Sequence, residues 1–386
     1  VRRNGQPLDS FDGRFLPTAG SAGALSAKAR SPQKFEIAIP EGRSMSRGQL
    51  DSFLLQSARD AGVDVRQPAE AEIIAESIES NDAGESLVRV RSRGSRQMGW
   101  QPPESFELAI VAGGLTGRCF AADGHDRSPS VLPYVETPHG PLGVSTHLPN
   151  DNAAARAWRI HESAIQMICD DQGYVGIVRL PGGGLDLAAA IGPQREAESA
   201  SRGRERYLMP LRDMIAASGC LPNQYHSSFI RWMNQEAVWM TTPPLRRRRV
   251  AACGRIAAIG DAAGYVEPLT GEGMTWGIES GIAVADEWMD YKNTIDPNPR
   301  RSAPRVQFAA RWETRLAKML SRRRQVCSLV TQSLRHSTVR VGAATLLAHA
   351  GWFATPITWS LARGPRFPPT QMSLPASPST HSGTAS

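Results

Sequence analysis

The chain has 386 residues, with 44 Lys and Arg against 37 Asp and Glu, and a formal charge of +7. Its 41% hydrophobic content, with 35 Gly and 28 Pro, excludes a fibrous repeat, a small disulfide scaffold and a wholly disordered protein. The length suffices for two or three units with a buried core.

Only Lys28, Lys34, Lys292 and Lys318 are lysines; the other basic residues are Arg. They are spread out and lack interleaved aromatics, so a nucleic-acid partner is not expected. Cys119, Cys169, Cys220, Cys253 and Cys327 form no CxxC pair and no zinc spacing. They read as reduced thiols of a cytoplasmic protein. The histidines show no metal spacing and no Gly-x-Ser-x-Gly elbow occurs, so neither a metal site nor a hydrolase triad is expected. No secretory signal pattern opens the chain.

In chain order, residues 35–39 alternate as a strand, closed by Pro40-Glu41-Gly42. A helix follows, with Ser46 and Gln49 as a capping box, an apolar face at Leu50, Phe53, Leu54, Ala58 and Ala61, and Gly62 as its stop. Residues 63–65, 71–78 and 86–92 read as strands. Residues 106–112 form a continuous apolar run into Gly113-Gly114, the pattern of a buried parallel strand. Residues 173–180 and 185–191 flank Pro181-Gly182-Gly183-Gly184 as a hairpin. Residues 204–218 read as a helix and 225–240, rich in Trp and Met, as strands. Residues 254–260 return to a buried strand, followed by a helix to about 290 and a basic helix or helix pair over 305–335. Residues 341–362 carry no charge but are broken by Gly342, Gly351 and Pro356. Two short packed helices are favoured there over membrane association through a span.

The informative segment is Ile259-Gly260-Asp261-Ala262-Ala263-Gly264-Tyr265-Val266-Glu267-Pro268-Leu269-Thr270-Gly271-Glu272-Gly273-Met274. A buried strand ends in Gly-Asp, a glycine-rich loop follows, and a helix begins near Gly273. Ligands of open α/β sheets sit beyond the carboxyl ends of strands. A carboxylate there accepts hydrogen bonds from ligand hydroxyls, glycines let the main chain approach, and the helix start favours negative charge. A flavin needs these features. Gly277, Gly281 and Ala285 recur every four residues, a bare face for close helix packing.

This segment resembles the second flavin motif of the geranylgeranyl reductase and aromatic-ring hydroxylase (monooxygenase) superfamily of FAD enzymes. The resemblance implies that Asp261 contacts the ribityl chain. It implies that Gly260, Pro268, Gly271, Glu272, Gly273 and Met274 line the flavin, with Glu272 the nearest acid. Ser44-Met45-Ser46-Arg47-Gly48-Gln49-Leu50 resembles a second motif and implies a cofactor contact by Arg47, whose charge opposes the helix dipole. Gly173-Tyr174-Val175-Gly176 resembles the substrate sheet, with Gly176 where the reductase branch favours an aromatic. Trp232, Trp239 and Trp276 are either pocket-lining or core. Gly113 stands where the family has an acid. The Gly-x-Gly-x-x-Gly that holds the pyrophosphate is absent from the sequence, so the first strand, helix and next strand of the FAD fold are expected to be missing.

The implied fold is α/β, a glutathione-reductase-like FAD-binding fold incomplete at the N-terminus, with an inserted antiparallel substrate domain and a helical C-terminal region. The expected division is an irregular lead-in over 1–33, FAD-binding parts over 34–127 and 246–292, a substrate domain over 128–245, helices over 305–362 and a disordered tail over 363–386. The implied function is FAD-dependent redox chemistry on an apolar or aromatic small molecule, with NADPH or another electron donor. It proceeds by oxygen-dependent hydroxylation or by hydride delivery to a carbon–carbon double bond. The alternative is a truncated, inactive remnant or a binding scaffold that does not hold FAD.

Overall fold

A computed structural model describes residues 6–16, 32–74, 87–94, 99–116, 132, 134–135, 140–192, 203–246, 248–267, 269, 271, 273–294 and 307–349. The strands are β1 (Gln6–Phe15) and β2 (Gln33–Ser44), then, after helix α1 (Arg47–Asp60), β3 (Ala69–Ile74), β4 (Val88–Gly94), β5 (Glu104–Phe106), β6 (Ala109–Val111) and β7 (Tyr134–Val135). Strand β8 (Leu142–Leu148), helix α2 (Ala153–Ala157), and strands β9 (Ala164–Cys169), β10 (Gly173–Arg179) and β11 (Leu185–Ile191) follow. Helices α3 (Glu205–Ser218) and α4 (His226–Gln235) precede the short strands β12 (Met240–Pro244), β13 (Arg248–Arg249), β14 (Ala252–Cys253) and β15 (Ile256–Ala258). Helices α5 (Gly273–Thr294), α6 (Phe308–Ser333) and α7 (Ser337–His349) close the described chain.

The main sheet has seven strands in the order β12-β8-β11-β10-β9-β1-β2. Its neighbours pair antiparallel except β1 with β9, which run parallel. Side chains alternate across it, as the pleat requires. Ile168, Val175, Ile177, Leu185 and Leu187 point to one face and bury against α2, α3 and α4. Phe35, Ile37, Met167, Cys169, Tyr174 and Ala190 point to the other and bury against α7. A third core joins β6, β14 and β15 to α5 and α6 around Trp276, Phe308 and Trp312. The Trp312 indole N–H donates to the Ala258 carbonyl at 3.1 Å, which fixes α6 on β15.

Several expectations change. Residues 6–15, assigned to an irregular lead-in, form β1, whose strand signal is masked by Gly13. The ring of its partner Phe35 lies where a Gly13 Cβ would stand, so the pair is filled from the other strand. Strand β2 runs through Pro40-Glu41-Gly42 to Ser44 rather than stopping there. Residues 63–65 are not a strand. The run 106–112 divides: β5 joins β3 and β4 in a small antiparallel sheet, and only β6 is a parallel strand. Residues 226–235 are helical, not extended. Phe229, Trp232 and Met233 fall at i, i+3 and i+4 and bury one helix face, which outweighs the strand preference of Trp.

The Ser46 half of the capping box is present, its Oγ accepting the Gln49 N–H at 3.3 Å. Yet α1 has no buried residue, and Phe53 and Leu54 of its apolar face are exposed. Among the described residues, no helix is long and apolar enough to cross a membrane. Residues 350–362 and the tail lie outside the described residues.

Candidate functional site

Strand β15 pairs in parallel with β6, with Ile256 opposite Ala109 and Ala258 opposite Val111. Both strands end in a 3-10 turn, Gly114–Thr116 and Gly260–Ala262, and the two turns lie against one another. This is the carboxyl edge where open sheets bind ligands. Gly114 and Gly260 take positive φ, 64° and 54°, a region that costs a side-chain-bearing residue about 1–3 kcal/mol.

The turn at Gly260 is fixed by α5. A Cβ on Gly260 would stand 3.2 Å from the Gly277 Cα. The Gly260 N–H donates to Ser280 Oγ at 2.9 Å, and that hydroxyl donates to the Gly277 carbonyl at 3.0 Å. Ser280 is wholly buried, and its role cannot be read from spacing alone because it depends on which turn α5 meets. The small-residue stripe is used only in part. Gly277 meets Gly260 and Gly281 meets Ile259, but Ala285 is exposed.

Asp261 is partly buried against the start of α5, with Oδ1 3.7 Å from a Cβ placed on Gly273. Among the described residues no hydrogen-bond donor reaches its carboxylate. Burial raises its pKa, and the charges of Arg47 and Arg324 pull it back. Burial outweighs the two arginines, so the carboxyl sits above its ordinary range with no direct hydrogen bond among the described residues. Arg47, the first residue of α1, is mostly exposed and pairs with Asp51 at 3.2 Å. Its charge nonetheless reaches Asp261. Gly271 has a φ of 68° and open space where a Cβ would stand. Met274 is half exposed in the first turn of α5. Gly260, Asp261, Gly273 and Met274 lie where the Gly260 turn meets the start of α5, and the charge of Arg47 acts on Asp261 from α1. Pro268 and Glu272 lie outside the described residues.

Three features escaped the sequence reading. Arg324 of α6 donates to the Gly264 carbonyl at 3.2 Å and stands near Asp261. Glu267, buried in the loop, pairs with Arg246 at 2.5 Å and Arg335 at 3.3 Å. This tethers the loop to both flanking segments. Met167 lies 3.4 Å from a Cβ placed on Gly176, covering the position where the reductase branch favours an aromatic. Tyr265 and Leu269 of the loop pack on the same sheet face as Met167 and Tyr174. Trp232 and Trp276 are core residues, and Trp239 packs on the opposite face with its indole N–H on the Met233 carbonyl.

No family model matches the sequence, and no curated protein matches it. Solved structures do match. The myxobacterial chondrochloren halogenase CndH, described as a new variant of FAD-dependent halogenases, aligns over 91% of this chain and 76% of its own, with a TM-score of 0.57 at 14% identity. HpxO (R204Q) of Klebsiella pneumoniae, solved with FAD, aligns over 94% and 84%, with a TM-score of 0.53 at 13% identity. A geranylgeranyl bacteriochlorophyll reductase-like protein of Thermoplasma acidophilum aligns over 88% and 75%, with a TM-score of 0.53 at 13% identity. The chain shares the fold of these solved structures: mixed α/β, with one large sheet, small antiparallel sheets and C-terminal helices.

The residues present fit the flavin end of FAD. An acceptor without a partner suits the ribityl hydroxyls, and open space at Gly271 suits the approach of a flat ring. The free N–H groups of the first turn of α5 suit negative charge on that ring.

Proposed function

We propose that the chain is a flavin-dependent oxidoreductase acting on an apolar or aromatic small molecule. The observation that carries this reading is Asp261. It is a partly buried carboxylate with no donor among the described residues, at the end of a parallel strand and against a helix start. Asp261 would accept hydroxyls of the ribityl chain, Arg47 would add positive charge, and the main chain from Gly271 to Met274 would line the ring. Pro268 and Glu272 would complete that lining. Bound there, FAD would supply the redox chemistry, and NADPH or another donor the electrons.

The sheet face of Phe35, Met167 and Tyr174 is packed under α7 and the loop residues Tyr265 and Leu269, an apolar layer with one buried phenol that would back the flavin site. The reaction would be oxygen-dependent hydroxylation or hydride delivery to a carbon–carbon double bond. Product analysis with and without oxygen separates the two, because only hydroxylation needs oxygen.

The test of the site is a titration of FAD into the chain and its Asp261→Ala variant, followed by flavin fluorescence. At least tenfold weaker binding by the variant is expected. Equal affinity would remove Asp261 from the site.

A further inference from the structure

Among the described residues, Arg324 forms no ion pair with a carboxylate. Its inward-turned neighbours on α6 and just beyond it are all paired. Arg311 and Arg315 meet Glu287 at 2.6 and 3.1 Å, Arg323 meets Glu279 at 2.6 Å, and Arg335 meets Glu267 at 3.3 Å. Arg324 has instead the Gly264 carbonyl at 3.2 Å, and its Nε is shielded from solvent with no acceptor. Arg248 stands directly across from Gly264 in an isolated antiparallel bridge. The two arginines therefore flank one residue of the loop, three positions past Asp261. Burial first, and then the Arg248 charge, hold the Arg324 guanidinium below its ordinary range, while Asp261 opposes them. Arg324 thus stands between a second cation, Arg248, and one carboxylate, Asp261. A second anion would relieve that imbalance.

We propose that Arg324 and Arg248 form an oxyanion subsite beside Asp261, taking a phosphate or carboxylate group of the ligand that occupies the loop. The guanidinium fork suits both groups. This deepens the flavin reading: the oxyanion is either the phosphate of the flavin itself or a carboxylate on the small-molecule substrate. Nothing in it needs flavin chemistry, so it can be tested on the chain alone.

The experiment measures binding of riboflavin, FMN and FAD by flavin fluorescence at constant ionic strength. Benzoate and inorganic phosphate are measured by calorimetry, with and without flavin. The proteins are the unaltered chain, Arg324→Gln, Arg324→Lys and Arg248→Gln. Arg248 is exposed, so its variant is expected to fold even if an α6 variant does not. If the flavin supplies the oxyanion, FMN and FAD lose about tenfold or more in Arg324→Gln while riboflavin is unchanged, with Arg324→Lys intermediate. If the substrate supplies it, the flavins bind alike, and benzoate or phosphate binding falls by a similar factor. If no flavin binds but phosphate or benzoate still requires Arg324, the subsite stands and the flavin reading falls. Equal binding of every anion by the unaltered chain and both glutamine variants, or no anion binding at all, would overturn the proposal.

Discussion

Gly260 rests on Gly277, with 3.2 Å between the Cα of Gly277 and the point where a Gly260 Cβ would be. Two glycines thus let the ligand-side turn and the following helix share one small contact. The two are not equivalent. Gly260 has a φ of 54°, whereas a Cβ on Gly277 meets nothing within 4 Å outside its own helix. Gly260→Ala is therefore expected to destabilise the chain by about 1–3 kcal/mol. Gly277→Ala is expected to stabilise it by up to about 1 kcal/mol through helix propensity. Urea midpoints at constant m-value read both. A destabilised Gly277→Ala would show that the contact is tighter than described.

Ser280→Ala leaves the Gly260 N–H without its acceptor in a buried place. A loss of about 1–3 kcal/mol is expected. Flavin retention should weaken with it, because the same bond sets the turn that presents Asp261. Unchanged stability would mean that water takes over the donor.

How far the sequence foretells this site depends on which residues act locally. The strand, the Gly-Asp turn and the helix start are set by near neighbours, so Gly260, Asp261, Gly271 and Gly273 could be read directly. Ser280 and Arg324 act across tertiary contacts, and neither spacing nor residue type distinguishes them from surface positions. The same holds for the fold. The hairpin at Gly182-Gly183 carries its own turn chemistry, with φ of 100° and 88° at the two glycines, and forms as expected. Strand β1 does not, because Gly13 borrows its packing from Phe35. In α4 the signal was present as the 3–4 spacing of Phe229, Trp232 and Met233. Propensity alone pointed the wrong way.

Glu267 has no exposed side-chain surface and holds Arg246 and Arg335. Glu267→Gln removes the buried carboxylate that Arg246 and Arg335 share. A loss of about 3–5 kcal/mol is expected, read as a fall in the urea midpoint. Because the pair ties the loop to the segment before β13 and to the connection between α6 and α7, proteolysis within the loop should accelerate in parallel. A change under about 1 kcal/mol would contradict a structural role for the pair.

Asp170 gives the chain a pH dependence of known sign. Burial pushes its carboxyl from 3.8 up to about 6, against the pull of the Gln172 and Gly173 amides and of Arg340, with Asp171 adding to the rise. Below about pH 3.8 the group is protonated in both states. Between 3.8 and 6 the unfolded chain sheds the proton and the folded chain keeps it, so stability falls as pH rises through that window. Asp170→Asn retains an acceptor for the two turn amides and should lack this fall, which is on the order of 3 kcal/mol. Stability curves of the two proteins that run parallel from pH 4 to 7 would contradict the assignment.

The most direct measurement for the flavin reading is the visible spectrum of the chain after incubation with FAD and removal of free flavin by desalting. The account expects a retained flavin band with shifted, resolved peaks, lost or greatly reduced in Asp261→Ala. A colourless protein after desalting, with its fold intact by circular dichroism, would contradict it.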